Sequence, residues 1–237
     1  LGHPERSTPA LIVAGTNGKG SVAALLASIA RAAGLDAGLY TSPHLENVEE
    51  RIRVDGREIA SADLGGLLRE VTSAARRIGH PSPTYFEAMT LSALLHFARR
   101  KVDLAVLEVG MGGRLDATNL VDARLAVITA IALDHQEWLG PTVDAIAREK
   151  AGVLRAGCPV VLSPQAPEAL AALLEEAAGR GAPVAARPAQ HPVRGSESPY
   201  LPPGARQVGM WTRVSASLRA GLDAAAAIVL LGSLARQ

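Results

Sequence analysis

The sequence predicts an α/β fold built on a mostly parallel sheet, with a phosphate-binding loop at the first strand. Two observations predict this fold class. Short apolar runs alternate along the chain with longer stretches in which apolar residues recur at helical spacing, a pattern typical of parallel sheets covered by helices on both faces. A glycine-rich segment at residues 15–21 also separates the first apolar run from the first helical stretch, and loops in that position bind phosphate.

The elements of the first third follow from periodicity and turn residues. Residues 11–14 form a short apolar run, which predicts the first strand. Apolar residues recur at helical spacing over residues 21–33, and Gly34 ends that helix. A second strand is predicted at 37–41. Alternation over residues 51–59 around an Asp-Gly pair predicts a hairpin.

Helices and strands continue to alternate through the middle of the chain. Helices are predicted at 61–78, 84–100, 142–151 and 167–179, and strands at 102–109, 125–131 and 159–162. In such a sheet, ligands bind beyond the carboxyl ends of the strands. We therefore expect the functional residues in the loops that follow the strands and at the starts of the helices.

The domain organisation is predicted from a change in composition. Residues 1–186 carry the alternating pattern and are interpreted as one domain. Residues 187–213 are rich in Pro, Ser and Gly, which indicates a linker. Residues 214–237 supply one helix and one short strand, too little for an independent domain.

Composition excludes several classes of partner. The 237 residues include 24 basic and 23 acidic side chains, a net charge of +1 that favours neither nucleic acid nor a membrane surface. No apolar run approaches the roughly 18 residues of a transmembrane helix. A single cysteine, Cys158, cannot form an internal disulfide, so we expect a cytoplasmic protein. We also expect a monomer that acts on small molecules, and a native start before Leu1, because no initiator Met is present.

The glycine-rich segment reads GTNGKGS at residues 15–21. Glycines allow backbone N–H groups to point at a phosphate, the helix start adds positive potential, and a lysine adds a full charge. The spacing is shorter than in the general P-loop pattern, and Gly20 separates the lysine from the serine. The alternative is a glycine turn with a surface lysine. The candidate ATP-binding residues are Thr16, Asn17, Gly18, Lys19, Gly20 and Ser21.

Two further positions are candidates for a metal. Glu108 ends an apolar strand, where a carboxylate is costly to bury unless it is paired or bound to a metal. A carboxylate facing the phosphate loop is where Mg²⁺ would be held, although an exposed strand-end glutamate is the alternative. Ser42 follows the second strand, and taken alone it fits a turn or a helix cap.

Three other features have ordinary structural readings. His135 follows a strand, and imidazole is an unusual ligand for Mg²⁺. Lys150 lies on a predicted helix, where a lysine is usually solvated. It is one of only three lysines in the chain. Thr84 and Glu87 have the spacing of a capping box at the start of a helix, which does not exclude a second role in a pocket.

The motifs taken together, in order, resemble the folylpolyglutamate synthase and dihydrofolate synthase branch of the Mur ligase superfamily. The resemblance covers about residues 1–165, with a shorter and less specific match at 228–236. The motifs that carry it are GTNGKGS at 15–21, YTSPHL at 40–45, TYFE at 84–87, EVGMGGRLDATN at 108–119, LDHQ at 133–136 and EKAG at 149–152. The resemblance implies that residues 1–186 are an ATP-binding domain with the fold of the Mur ligase central domain. It also implies that residues 214–237 are a remnant of a C-terminal α/β domain.

The resemblance implies an ATP-dependent ligase that adds L-glutamate to dihydropteroate or to a folate through an acyl phosphate. It implies two Mg²⁺ ions, one on Ser42 and Glu108 and the second on His135. It also implies that Lys150 is carbamoylated by CO₂ and, with Lys19 and His135, serves catalysis. The implied substrate-binding residues are Thr84, Tyr85, Phe86, Glu87, Leu115, Asp116 and Ala117.

Two alternatives remain at this point. A Mur-type ligase acting on cell-wall precursors would keep the phosphate loop, but it would carry Thr directly after Lys19. A non-catalytic ATP-binding fragment would fit a chain that holds little of a second domain. The sequence does not distinguish a dihydrofolate synthase from a folylpolyglutamate synthase.

Overall fold

A computed structural model describes residues 1–186 of the chain. The linker predicted at 187–213 and the domain remnant predicted at 214–237 lie outside the described residues. Within the part that is described, no helix is both long enough and apolar enough to cross a membrane.

Eight strands form one sheet in the order β4-β3-β2-β5-β1-β6-β7-β8. All neighbours from β2 to β8 pair in parallel, whereas β3 and β4 form an antiparallel hairpin at one edge. The strands are β1 Ala10–Ala14, β2 Ala37–Tyr40, β3 Ile52–Val54, β4 Arg57–Glu58, β5 Leu104–Glu108, β6 Ala123–Ile128, β7 Val160–Leu162 and β8 Val184–Ala186. The predicted fold class, a mostly parallel α/β sheet, is confirmed.

Six helices connect the strands. They are α1 Lys19–Ala32, α2 Ser61–Arg77, α3 Tyr85–Arg100, α4 Gln136–Leu139, α5 Val143–Lys150 and α6 Pro167–Arg180. Each long helix was predicted to within two residues at either end. Short 3₁₀ turns at Pro4–Arg6, Val48–Arg51, Ala117–Leu120 and Ala151–Val153 complete the described chain.

Helices cover both faces of the sheet, and successive strand residues point to opposite faces. In β1, Ile12 joins the core beneath α2, α3, α5 and α6, whereas Val13 joins the core beneath α1. All five residues of β1 are buried, which places this strand at the centre of the domain. The loop that follows β1 therefore starts from a rigid support.

Strand β6 differs most from its prediction. It was expected at 125–131, but it spans Ala123–Ile128. Residues 129–131 are apolar enough to continue a strand, yet the pairing with β7 stops at Ile128. Instead, the Ile131 N–H donates to the side chain of Gln165. The short strand β8 and the four-residue helix α4 were not predicted, since each is too brief to show periodicity.

Candidate functional site

The glycine-rich loop connects β1 to α1 at the carboxyl edge of the sheet. Gly15 has a φ of 142° and Gly18 a φ of 81°, values that favour glycine. A Cβ at Gly15 would also overlap the hydroxyl of Thr129. Backbone conformation and close packing therefore both require glycine at the first position of the loop.

The first half of this loop is bound to the segment that follows β6. The N–H groups of Thr16 and Asn17 both donate to the Ala130 carbonyl, at 3.0 and 3.2 Å. The Thr16 hydroxyl lies 3.2 Å from both the N–H and the carbonyl oxygen of Ala132. These two residues hold the loop in place, so their amides are not the ones that face a ligand.

The second half of the loop is a site for an anion. Helix α1 begins at Lys19, has no side-chain cap and carries no acidic residue in its first turn. The first intrahelical bond runs from the Val22 N–H to the Gly18 carbonyl. N–H groups before that point have no helical acceptor, and the helix dipole adds positive potential there. The Lys19 ammonium bends back over the loop and donates to the Thr16 carbonyl at 3.1 Å.

Glu108 lies directly beside this helix start. The residue is only 4% exposed, and its Oε2 accepts the Ser42 N–H at 3.0 Å. A Cβ at Gly20 would lie 3.2 Å from the same oxygen. Burial raises the pKa of Glu108, and the Ser42 N–H and the charge of Lys19 oppose that rise. The alternative hypothesis, that Glu108 is an exposed glutamate at the end of a strand, is therefore wrong.

Glu108 and Ser42 are suited to part of a magnesium site. No hydrogen bond of the Ser42 side chain occurs within residues 1–186, so its hydroxyl is available as a ligand beside the buried carboxylate. The described residues contain no group of three or more His, Cys, Asp or Glu side chains that could hold a metal by themselves. Mg²⁺ commonly takes one or two protein oxygens and completes its shell with phosphate and water, which fits this donor set.

Lys150, at the end of α5, is buried against the phosphate loop. It is 2% exposed, and its Nζ donates to the Gly15 carbonyl at 2.8 Å. Burial, aided by the nearby charge of Lys19, lowers the pKa of Lys150 to about 8. The alternative of a solvated helix lysine is wrong. A buried amine of this kind can lose its proton near neutral pH and then react with CO₂.

His135 lies in the loop that follows β6, at the same edge of the sheet. It has a left-handed φ of 45°, precedes α4 and is exposed. Its Nε2 is 3.7 Å from the Asp134 carboxylate. No hydrogen bond within the described residues joins it to Glu108, Ser42 or Lys150.

The segment at 84–87 begins α3 through the expected capping box. The Thr84 N–H donates to Glu87 Oε2 at 2.7 Å, and the Glu87 N–H donates to Thr84 Oγ1 at 3.3 Å. Tyr85 is 55% exposed and lies beneath the guanidinium of Arg51, 5.3 Å from the ring centre. Phe86 packs on Tyr40 and leaves no room for a Cβ at Gly110. Thr84, Tyr85 and Glu87 are exposed, so a ligand can reach them, whereas Phe86 is half-buried against Tyr40.

The loop at 115–117 is organised by its own acidic residue. The Asp116 carboxylate accepts N–H groups from Met111 and Thr118, at 3.0 and 2.9 Å. Ala117 begins the 3₁₀ turn that follows. Leu115 is 89% exposed at the tip. Asp116 therefore shapes the loop, and Leu115 offers an apolar contact.

Arg51 belongs to the site but was not singled out from the sequence. It is 8% exposed, and its Nε donates to His44 Nδ1 at 2.9 Å. Its charge also lowers the pKa of Glu108. A single arginine in a polar stretch gives no periodic signal, so only the folded chain reveals that this cation is buried near the carboxylate.

Two cavities, of about 590 and 490 Å³, lie at the opposite edge of the sheet. They share Arg31 near the end of α1 and Asp55 in the β3–β4 turn, and basic and acidic side chains line them together. Neither includes a residue of the phosphate loop. The site described above is instead an open edge formed by the loops after β1, β2, β5 and β6.

Residues 13–159 match the family described as Mur ligase middle domain. The chain is 49% identical over 165 residues to the dihydrofolate synthase/folylpolyglutamate synthase of Escherichia coli K12, covering 69% of this chain and 38% of that protein. The folylpolyglutamate synthase of Mycobacterium tuberculosis complexed with ADP superposes with a TM-score of 0.72 and 41% identity, over 78% of this chain and 43% of its own. An FPGS–AMPPCP–folate complex gives 0.73 and 39%, over 76% and 45%. The chain spans less than half the length of these proteins.

Proposed function

The chain belongs to the Mur ligase family through its middle domain, and on that premise we propose that it is the ATP-binding domain of a folylpolyglutamate synthase or dihydrofolate synthase. The observation that carries the proposal is the position of buried Glu108, which lies between Ser42 and the uncapped start of α1. An anion-binding helix start beside a buried carboxylate is an arrangement for a nucleotide phosphate with its magnesium.

The proposed reaction adds L-glutamate to a folate or dihydropteroate carboxylate. The γ-phosphoryl group of ATP passes to that carboxylate to give an acyl phosphate, the glutamate amino group attacks the acyl carbon, and phosphate leaves. Lys19 and the first N–H groups of α1 would hold the phosphates. Magnesium, when bound by Ser42 and Glu108, supplies neutralisation of the charge on the phosphates. His135 is proposed to hold a second ion.

Lys150 is proposed to act as a carbamate. Carbamoylation keeps one N–H on Nζ, so the bond to the Gly15 carbonyl can persist while the new carboxylate-like group extends beyond it. The lowered pKa of Lys150, about 8, favours the neutral amine that reacts with CO₂. The group would then present an anion close to the phosphate loop, where an ammonium would repel magnesium.

The substrate is proposed to lie over the exposed side chains of Tyr85 and Leu115, with Phe86, Asp116 and Ala117 shaping the surface below them.

We propose a cytoplasmic monomer without nucleic-acid or membrane partners, in keeping with the balanced charge. A cell-wall ligase is disfavoured, because Gly20 rather than Thr follows Lys19 and because the relatives described above carry folate-synthase names. A non-catalytic ATP-binding fragment shares the nucleotide site but not the ligase activity.

Calorimetric titration of Mg·ATP into the chain tests the nucleotide site. Lys19→Ala should weaken binding roughly 10- to 150-fold, since one charge-assisted phosphate contact is worth about 1.5–3 kcal/mol. Lys101→Ala removes an exposed lysine at the end of α3 and serves as the control. Equal affinities of wild type and Lys19→Ala would refute the assignment.

Phosphate release by the longer protein that carries this domain tests the substrate. Release should require both L-glutamate and either dihydropteroate or tetrahydrofolate. Activity only with a cell-wall precursor would move the protein to the sister branch. Nucleotide binding without any glutamate-dependent phosphate release would instead support a non-catalytic ATP-binding fragment.

A further inference from the structure

Gln165, in the loop between β7 and α6, bonds the segment that follows β6 through both ends of its amide. Its Nε2 donates to the Thr129 carbonyl at 2.9 Å, and its Oε1 accepts the Ile131 N–H at 3.0 Å. Longer contacts join Nε2 to the Ile128 carbonyl and to the Ser163 hydroxyl, at 3.4 and 3.3 Å. A side chain thus takes the place of a neighbouring strand.

Such a replacement is needed because the sheet ends early on this side. The β6–β7 pairing stops at Ile128 and Leu162, and the Ser163 N–H makes one last backbone bond to the Ile128 carbonyl. Residues 129–131 continue past the end of β7, where their backbone groups on that side would lack protein partners. Buried backbone groups without partners are costly, so the amide of Gln165 stabilises this segment in one position.

The opposite side of the same segment holds the phosphate loop. The carbonyl of Ala130 lies between the two residues that Gln165 bonds, and it accepts both the Thr16 and the Asn17 N–H groups. Ala132, two residues after Ala130, bonds the Thr16 hydroxyl through its N–H and its carbonyl oxygen. A direct chain of hydrogen bonds therefore runs from Gln165 through residues 129–132 to residues 16 and 17.

We propose that Gln165 is a positioning residue for nucleotide binding, which sets the phosphate loop by fixing the segment at 129–132. This inference rests on the proposed function, in which the loop binds ATP. Within the described residues, the hydrogen bonds of the Gln165 side chain go neither to the loop nor to any group assigned to ATP or magnesium. Its effect is transmitted through the carbonyl of Ala130.

Gln165→Glu tests the proposal with little change of shape. At neutral pH the carboxylate keeps the bond from Ile131 but loses the donor to Thr129 and places an anion against that carbonyl. Amide hydrogen exchange of the ligand-free chain should accelerate about tenfold at Thr16 and Asn17, and the Kd for Mg·ATP should rise about tenfold. Ser163→Ala, in the same loop, removes the 3.3 Å contact with Nε2 and a 3.5 Å contact with the Pro164 carbonyl, and it should leave both values unchanged.

The pH dependence of the variant separates positioning from loss of packing. A protonated glutamic acid again has one donor and one acceptor, so the affinity of Gln165→Glu relative to wild type should recover as pH falls from 7 to 4, through the ordinary glutamate pKa of about 4.3. None of the four residues that the amide contacts is titratable. A packing defect would give a ratio that does not change with pH. Ala166→Glu, which adds the same charge one residue away at an exposed position, should show neither the loss nor the recovery.

The exchange and binding measurements together distinguish failure of the proposed function from failure of the positioning role. If wild type did not bind Mg·ATP, the proposed function would be wrong, while exchange at Thr16 and Asn17 would still test the hydrogen-bond chain. If wild type bound normally and Gln165→Glu matched it in both exchange and Kd, the positioning role would be overturned. Faster exchange at both amides together with weaker, pH-recoverable binding would support it.

Discussion

Replacing Lys150 with methionine should change how the stability of the domain depends on pH. Methionine has a similar length and no charge, so it removes the titrating group from a site that is 2% exposed. In the folded chain the pKa of Lys150 is lowered to about 8, mainly by burial, from an ordinary value of 10.5. Between these two values the unfolded chain binds more protons at this position than the folded chain does.

Proton linkage sets the direction in which stability changes with pH. Stability rises with pH wherever the unfolded state holds more protons, so wild type should gain stability as pH rises through 8. With a folded pKa of about 8, the gain between pH 7 and pH 9 integrates to about 1.4 kcal/mol, one pKa unit of free energy. Lys150→Met lacks this contribution. The difference in unfolding free energy between wild type and the variant should therefore increase by about 1.4 kcal/mol from pH 7 to pH 9.

Urea unfolding at pH 7, 8 and 9 in CO₂-free buffer measures this difference. Lys101→Met is the control, because it removes a lysine that is exposed at the end of α3 and should leave the pH trend of wild type intact. Repeating the series with bicarbonate tests the carbamate. A carbamoylated Lys150 carries no proton on its nitrogen beyond the one N–H, whereas the unfolded chain loses the carbamate and binds protons as an ammonium, so the rise of stability with pH should become steeper than in CO₂-free buffer. A wild type minus variant difference that stayed constant from pH 7 to pH 9 in CO₂-free buffer would refute the buried-lysine account.

Two other substitutions have effects that follow from contacts in the described residues. Gly15→Ala should destabilise the domain by about 2–5 kcal/mol in urea unfolding, because the new side chain has a strained φ and overlaps Thr129. In a Thr129→Ala background the overlap is smaller, so part of that loss should be relieved. An equal loss in both backgrounds would contradict the overlap. Thr84→Ala should cost about 0.5–2 kcal/mol by removing the cap of α3, and a Thr84→Ser variant that did no better than Ala would show that the hydroxyl is not the stabilising group.

The sequence predicted the parts of the site that depend on local pattern. A strand, a glycine-rich turn and a helix at consecutive positions are enough to predict the phosphate loop, and T-x-x-E spacing is enough to predict the cap of α3. It did not reveal that Lys150 bonds the Gly15 carbonyl, because 135 residues separate them and only the packing of α5 brings them together. The burial of Arg51 and the role of Gln165 were missed for the same reason. Residues 129–131 were assigned to a strand because their apolar character does not show where the neighbouring strand stops.

Strand order decides which of the predicted residues can act together. The strands that carry the site stand side by side as β2, β5, β1 and β6, so Ser42 and Glu108 follow adjacent strands and Glu108 adjoins the loop after β1. His135 follows β6, three strand positions from β2. At about 4.8 Å between neighbouring strands, those two strand ends are about 14 Å apart. Strand order therefore places Ser42 and Glu108 on the β2–β5 side of the phosphate loop, whereas the segment that carries His135 starts on its β6 side.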